Sequence, residues 1–179
     1  MIKKIYILLA IITLSCEKKQ ENDTQKYFDI KGLFTNQISD LVNKKPVFVK
    51  IVEINSEKET KEFNSIDWKK ELDPFLMMDI NKPAYAKSYE TIETDSTLKY
   101  SLKKGEKLPI SSILIEKKRN SNQISFIEIV SNEKNMLYGW KKTLTASFEK
   151  GILKKYNISG KQKIMIFDEE VYKIEGKRK

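Results

Sequence analysis

Beyond Ala84 the apolar residues of this chain fall at every second position, in short runs broken by turn sequences of two to four residues. A chain patterned this way folds into consecutive antiparallel strands with one buried face. Leu98, Tyr100 and Leu102 alternate with Thr97, Lys99 and Ser101. Residues 111–117 carry Ile113-Leu114-Ile115, and Asn120-Ser121-Asn122 turns into 123–130. After a turn at 132–135, a long strand over 137–148 places Tyr138, Trp140, Leu144, Ala146 and Phe148 on one face. Lys150-Gly151 turns into 152–158, Ser159-Gly160-Lys161 into 163–167, and Asp168-Glu169-Glu170 into 171–174. The pattern predicts about seven strands in this half of the chain.

The first half reads differently. From Tyr27 to Asn43, the apolar residues Ile30, Leu33, Phe34, Ile38, Leu41 and Val42 recur at three- and four-residue spacing, which predicts a helix with one apolar stripe. Gly32 weakens its start and Pro46 lies beyond its end. The β-branched stretch 46–54 predicts a strand, and the polar stretch 55–64 a loop. A second helix begins at Ser65-Ile66-Asp67-Trp68, with Ser65 as N-cap and Asp67 at the positive end of the helix dipole. Pro74 predicts a kink and a second short helix through Met78, ended by Asn81-Lys82-Pro83.

The expected fold is therefore α+β: two N-terminal helices packed on a curved antiparallel β-meander of about eight strands, a partial barrel, because long meanders of twisted strands curl. In its order of elements this resembles the half-open, helix-lidded barrels of periplasmic lipoprotein carriers.

Met1-Ile2-Lys3-Lys4 is followed by an apolar run, Ile5 to Leu14, then Ser15-Cys16 and the polar Glu17-Lys18-Lys19-Gln20-Glu21. A positive start, a short apolar stretch and a small residue before a cut describe a secretory signal, and the run is well short of the ~20 residues of a bilayer span. Cys16 is the only cysteine. The arrangement resembles the lipobox of bacterial lipoproteins, although Thr13 stands where leucine is usual. The resemblance implies cleavage after Ser15, acyl chains on Cys16 and residence at a membrane of the cell envelope, expected to be the outer membrane, facing periplasm or exterior. Residues 1–15 are then a signal peptide, 16–26 the lipidated cysteine and a tether with no apolar side chain after Cys16, and 27–179 a single domain. The stretch from Ile66 to Leu72, with Asp79-Ile80-Asn81-Lys82-Pro83, resembles small lipoproteins of the Bacteroidetes, a resemblance that brings no catalytic residue with it.

The formal net charge is +9. Removing residues 1–15 takes away Lys3 and Lys4, so 32 basic residues face 25 acidic ones and +7 remains. Only Arg119 and Arg178 are arginines. Nucleic-acid readers lean on arginine, so the excess reads as a solvated lysine surface and no nucleic-acid partner is expected. Histidine is absent. That removes His-activated nucleophiles and His-ligated metals, and with Cys16 committed to lipid no thiol chemistry remains. No cofactor is expected. Chemistry by carboxylates stays open, as in glycosidases.

The densest constellation is Asp67, Trp68, Glu71, Asp73 and Asp79. Asp67 and Glu71 share a helix face at a spacing of four, and carboxylates beside an indole suit sugar binding or acid–base catalysis. The plainer reading is a capped, solvated helix with Trp68 buried. Asp79 to Pro83, followed by Tyr85 and Tyr89, suits a helix stop and strand start. Trp140, beside Tyr138 and Gly139, is either core or an aromatic platform. Two functional classes follow: a non-enzymatic envelope lipoprotein that binds an apolar ligand or an envelope protein, in one version as an accessory subunit of an outer-membrane assembly, or a glycan hydrolase using Asp67, Glu71 or Asp79.

Overall fold

The computed structural model describes residues 26–63 and 65–179. The signal peptide, Cys16 and the tether up to residue 25 lie outside the described residues. The chain order is α1 (Ile30–Lys44), β1 (Phe48–Ile54), β2 (Glu57–Phe63), α2 (Trp68–Leu76), a 3-10 turn (Pro83–Tyr85), β3 (Tyr89–Glu93), β4 (Thr97–Leu102), β5 (Ile110–Lys117), β6 (Ile124–Lys134), β7 (Tyr138–Glu149), β8 (Ile152–Ile164) and β9 (Glu170–Arg178). The nine strands form one antiparallel sheet in the order β2-β1-β9-β8-β7-β6-β5-β4-β3, open between β2 and β3. The α+β class is as expected, with two helices among the described residues and a sheet that is not closed into a barrel.

Helix α1 starts where Asp29 Oδ1 accepts from the Gly32 N–H at 2.7 Å. It ends where Lys45, in the left-handed region at φ 46°, donates its N–H to Leu41 O ahead of Pro46. Ile30, Phe34, Gln37 and Leu41 form the buried face. Gln37 is polar yet buried because its Nε2 donates to Gly151 O (2.9 Å) and its Oε1 accepts from the Leu153 N–H (2.8 Å), satisfying the backbone of the β7–β8 turn.

Both helices cover one sheet face. Register aligns Tyr100, Ile113, Ile129, Leu144, Ile158 and Ile174 across β4 to β9. Against this layer Phe34 stacks on Phe75 at 4.3 Å and meets Phe148 at 6.2 Å. Trp68 lies edge-on to Phe48 at 4.7 Å. Phe34, Phe75, Ile113, Ile127, Ile129 and Tyr156 have no exposed surface, so the space between helices and sheet is filled by side chains.

Several expectations need correction. Residues 57–63 form strand β2 and not part of a loop, making nine strands and placing a hairpin between the helices. Glu57-Lys58-Glu59-Thr60-Lys61-Glu62 has no apolar face because it is an edge strand exposed on both sides, held by backbone pairing to β1. Gly160 does not turn the chain, since β8 runs unbroken from Ile152 to Ile164. A Cβ there would stand 2.7 Å from Lys141 O and 2.7 Å from the Tyr172 hydroxyl, so glycine marks a close approach. Strand β3 supplies the seventh strand of the second half instead. The N-cap of α2 is Asp67 and not Ser65, and Pro74 sits inside a single continuous helix. The helix carries on past the proline because the Met77 N–H still reaches Asp73 O at 3.0 Å.

Candidate functional site

The predicted carboxylates are each engaged separately. Asp67 is exposed. Its Oδ1 accepts from the Lys70 N–H at 3.2 Å and its Oδ2 lies 3.3 Å from Lys70 Nζ. These contacts, the backbone hydrogen bond foremost, hold its carboxyl below the ordinary value. Glu71 points the other way, into the domain. Its Oε2 pairs with Lys50 Nζ at 2.7 Å, and its Oε1 accepts from the Tyr156 hydroxyl at 2.7 Å. Burial, and then Glu71, push the Tyr156 hydroxyl well above its ordinary range. Asp79 Oδ1 accepts from the Asn81 N–H at 2.8 Å. A capping acid, an ion-paired acid and a turn acid serve three different structural jobs.

Trp68 is buried against Phe48 and Tyr156, which is the plainer of its two readings. Tyr85 packs at the margin of the core, with Lys82 Nζ 5.3 Å over its ring. The Tyr27 hydroxyl donates to Tyr85 O (3.2 Å) and Ala86 O (3.0 Å), while Asn81 Oδ1 accepts from the Tyr27 N–H at 2.8 Å. The string from Asp79 to Tyr89 therefore fastens the first residues of the domain. Among the described residues no group of three or more Cys, Asp or Glu side chains is placed to hold a metal ion.

Trp140 proves to be neither core nor isolated, because its strand leaves the body of the sheet. Pairing of β5 with β6 stops at Ile110 and Ser131, and pairing of β9 with β8 begins at Glu170 and Gln162. Strands β6, β7 and β8 run on past both, through Lys134–Gly139 and Tyr138–Ile164, as a three-stranded tongue. Its two hairpin tips are joined by the Met165 N–H donating to Leu137 O at 2.9 Å. Asn135 Oδ1 folds the first tip by accepting from the N–H groups of Leu137 (2.8 Å) and Tyr138 (2.9 Å). The Tyr138 hydroxyl donates to Glu133 at 2.8 Å, which pushes its pKa up.

The tips are apolar and open to solvent. Met136 is 89% exposed, Ile166 77%, Met165 63%, and Leu137 and Phe167 61% each. Beside them lies an open groove of about 500 Å³, bordered by residues 132–141 with Lys161, Lys163, Met165 and Glu169. Side chains alternate across the tongue, so Lys134, Lys141, Lys161 and Lys163 share one face around Gly139, and Tyr138, Trp140 and Lys142 share the other. Lys142 Nζ stands 5.5 Å over the Trp140 ring. The rim of the sheet at β2 is charged, whereas these tips carry their largest apolar side chains outward.

Sequence reasoning named Trp140 and missed the site around it. The apolar run Ile164-Met165-Ile166-Phe167 reads as a strand over 163–167, but β8 ends at Ile164 and Met165 to Phe167 form the turn, so an apolar run in a turn was the signal. No protein-family model, curated protein or solved structure matches this chain.

Proposed function

We propose that this chain is a cell-envelope lipoprotein, held at the outer membrane by lipid on Cys16, whose folded domain acts by binding and not by catalysis. The binding surface is the apolar end of the tongue. One observation carries the reading: five large apolar side chains at two linked hairpin tips face water, where a monomeric domain ordinarily keeps few. The expected half-barrel shape belongs to the same proposal, supported by nine twisted strands with helices on one face. The packed interior favours a surface-bound partner over a ligand enclosed beneath the helices. The separate engagements of Asp67, Glu71 and Asp79 give no support to glycan hydrolysis, which needs two carboxyls facing one bond.

The test is photocrosslinking in the intact envelope, with a photoreactive residue at Leu137 or Ile166 and a control at Lys58 on the edge strand. Adducts at both tip positions, to lipid or protein, well above those at Lys58 are expected. Equal yields at all three positions would remove the tip as a binding surface. Cys16→Ser should abolish fatty-acid incorporation and release the protein from the membrane fraction.

A further inference from the structure

We propose that the surface met by the tongue is the lipid bilayer itself, with the tips entering the interfacial layer and the lysine face taking anionic phospholipid headgroups. This rests on the binding role proposed for the tips and assigns their partner. The tongue is layered like a membrane-interface element. At its end stand Met136, Leu137, Met165, Ile166 and Phe167. Tyr138 and Trp140 follow, the aromatic types that favour the headgroup level.

The four lysines of one face surround Gly139, which has no side chain to fill the space between them. Lys161 is neutralised by Glu169 at 3.2 Å. Lys163 Nζ donates to Phe167 O at 2.7 Å, which ties it to the apolar tip. Lys134 and Lys141 have no acidic partner among the described residues. Asp168, Glu169 and Glu170 follow Phe167, so the basic character belongs to the β6–β7 side of the tip. Lysines beside an exposed apolar end complement a surface that is anionic outside and apolar beneath. The tips project beyond neighbouring strands, a shape that enters a soft layer more readily than it fits a flat protein face.

The position of the chain start agrees. Tyr27 packs on Tyr89 and Tyr100 at 5.7 and 5.2 Å, near where β3 begins and β4 ends. In an antiparallel sheet that is also the end at which β6 stops and β7 starts, the end toward which the tongue extends. The ten residues 17–26 span at most ~36 Å when fully extended. On this proposal lipid on Cys16 and the tongue engage one membrane, giving the domain two attachments.

The experiment uses the lipidated mature protein reconstituted in vesicles whose acyl chains carry bromine, with emission of Trp140 as readout. Trp68 is buried in the core and gives the constant background, identified with the Trp140→Phe variant. In mixed phosphatidylglycerol and phosphatidylcholine vesicles, Trp140 emission should shift to the blue and be quenched. The quench should fall several-fold in Lys134→Gln/Lys141→Gln and in Leu137→Asp/Ile166→Asp, and weaken as salt rises. Unchanged Trp140 emission in brominated anionic vesicles, with the protein still anchored, overturns the proposal. Equal quenching in purely zwitterionic vesicles overturns the role of the lysines. Protein adducts at Leu137 or Ile166 without any quench leave the binding role standing and remove lipid as the partner.

Discussion

At the scale of single residues, Glu71 decides how α2 sits on the sheet. It lies largely out of solvent with Lys50 on one oxygen and Tyr156 on the other. A buried ion pair contributes little net stability, yet breaking it is costly because one charge is left without a partner. Lys50→Met should therefore destabilise the domain by about 3–5 kcal/mol, and Lys50→Met/Glu71→Leu should recover most of that loss. Urea unfolding of the two variants beside the parent checks this, and a double variant no more stable than the single one would refute it. The spacing of four predicts a common helix face for Asp67 and Glu71, whereas Asp67 caps the helix in solvent and Glu71 turns into the domain. That spacing gave no sign that Glu71 reaches a lysine 21 residues earlier and a tyrosine 85 residues later, because partners distant in sequence leave no local pattern.

Among elements, those with a strong period were legible and those without one were not. Helix α1 announces itself through Ile30, Phe34 and Leu41, and strand β7 through Leu144, Ala146 and Phe148. Strand β2 does not, since an edge strand wetted on both faces has no apolar alternation to display. Gly160 misleads for a related reason. A glycine next to a serine reads as a turn, but here it leaves room for Tyr172 and the Lys141 carbonyl. Gly160→Val should cost more than about 2 kcal/mol by forcing β7 and β8 apart. Its effect is measured by thermal unfolding. A substitution at a true surface turn stays within about 0.5 kcal/mol, and such a small change would contradict the continuous β8. The tongue was half legible: its aromatic residues were singled out, while the apolar tips were read as strand.

For the whole molecule, the absence of histidine leaves no side chain of ordinary pKa titrating between pH 5 and 8, and stability should be nearly flat there. Below that range Glu175 enters. Burial pushes its carboxyl up, but hydrogen bonds and charge from Lys155 and Lys173 outweigh it, and the net shift is below the usual value of 4.5. A carboxylate depressed in the folded state contributes stability that is present above its unfolded value and is lost as pH falls through its folded one. Unfolding midpoints between pH 5 and 3 should therefore drop more steeply for the parent than for Glu175→Gln, and parallel curves would show that the lysine pairing contributes nothing.

The placement of β9 between β8 and β1 has a consequence in time. Phe48 pairs with Arg178, so β1 has no inner neighbour until β9, more than a hundred residues later, is present. A growing or threading chain can assemble β3 to β9 as successive hairpins, each closing a short loop. The β1–β2 hairpin must wait, and its docking closes a loop of more than a hundred residues, the slowest kind of contact to form. Folding should thus end with a single late step joining β1 to β9, and until that step the facing edges of β1 and β9 remain open to any other strand they meet.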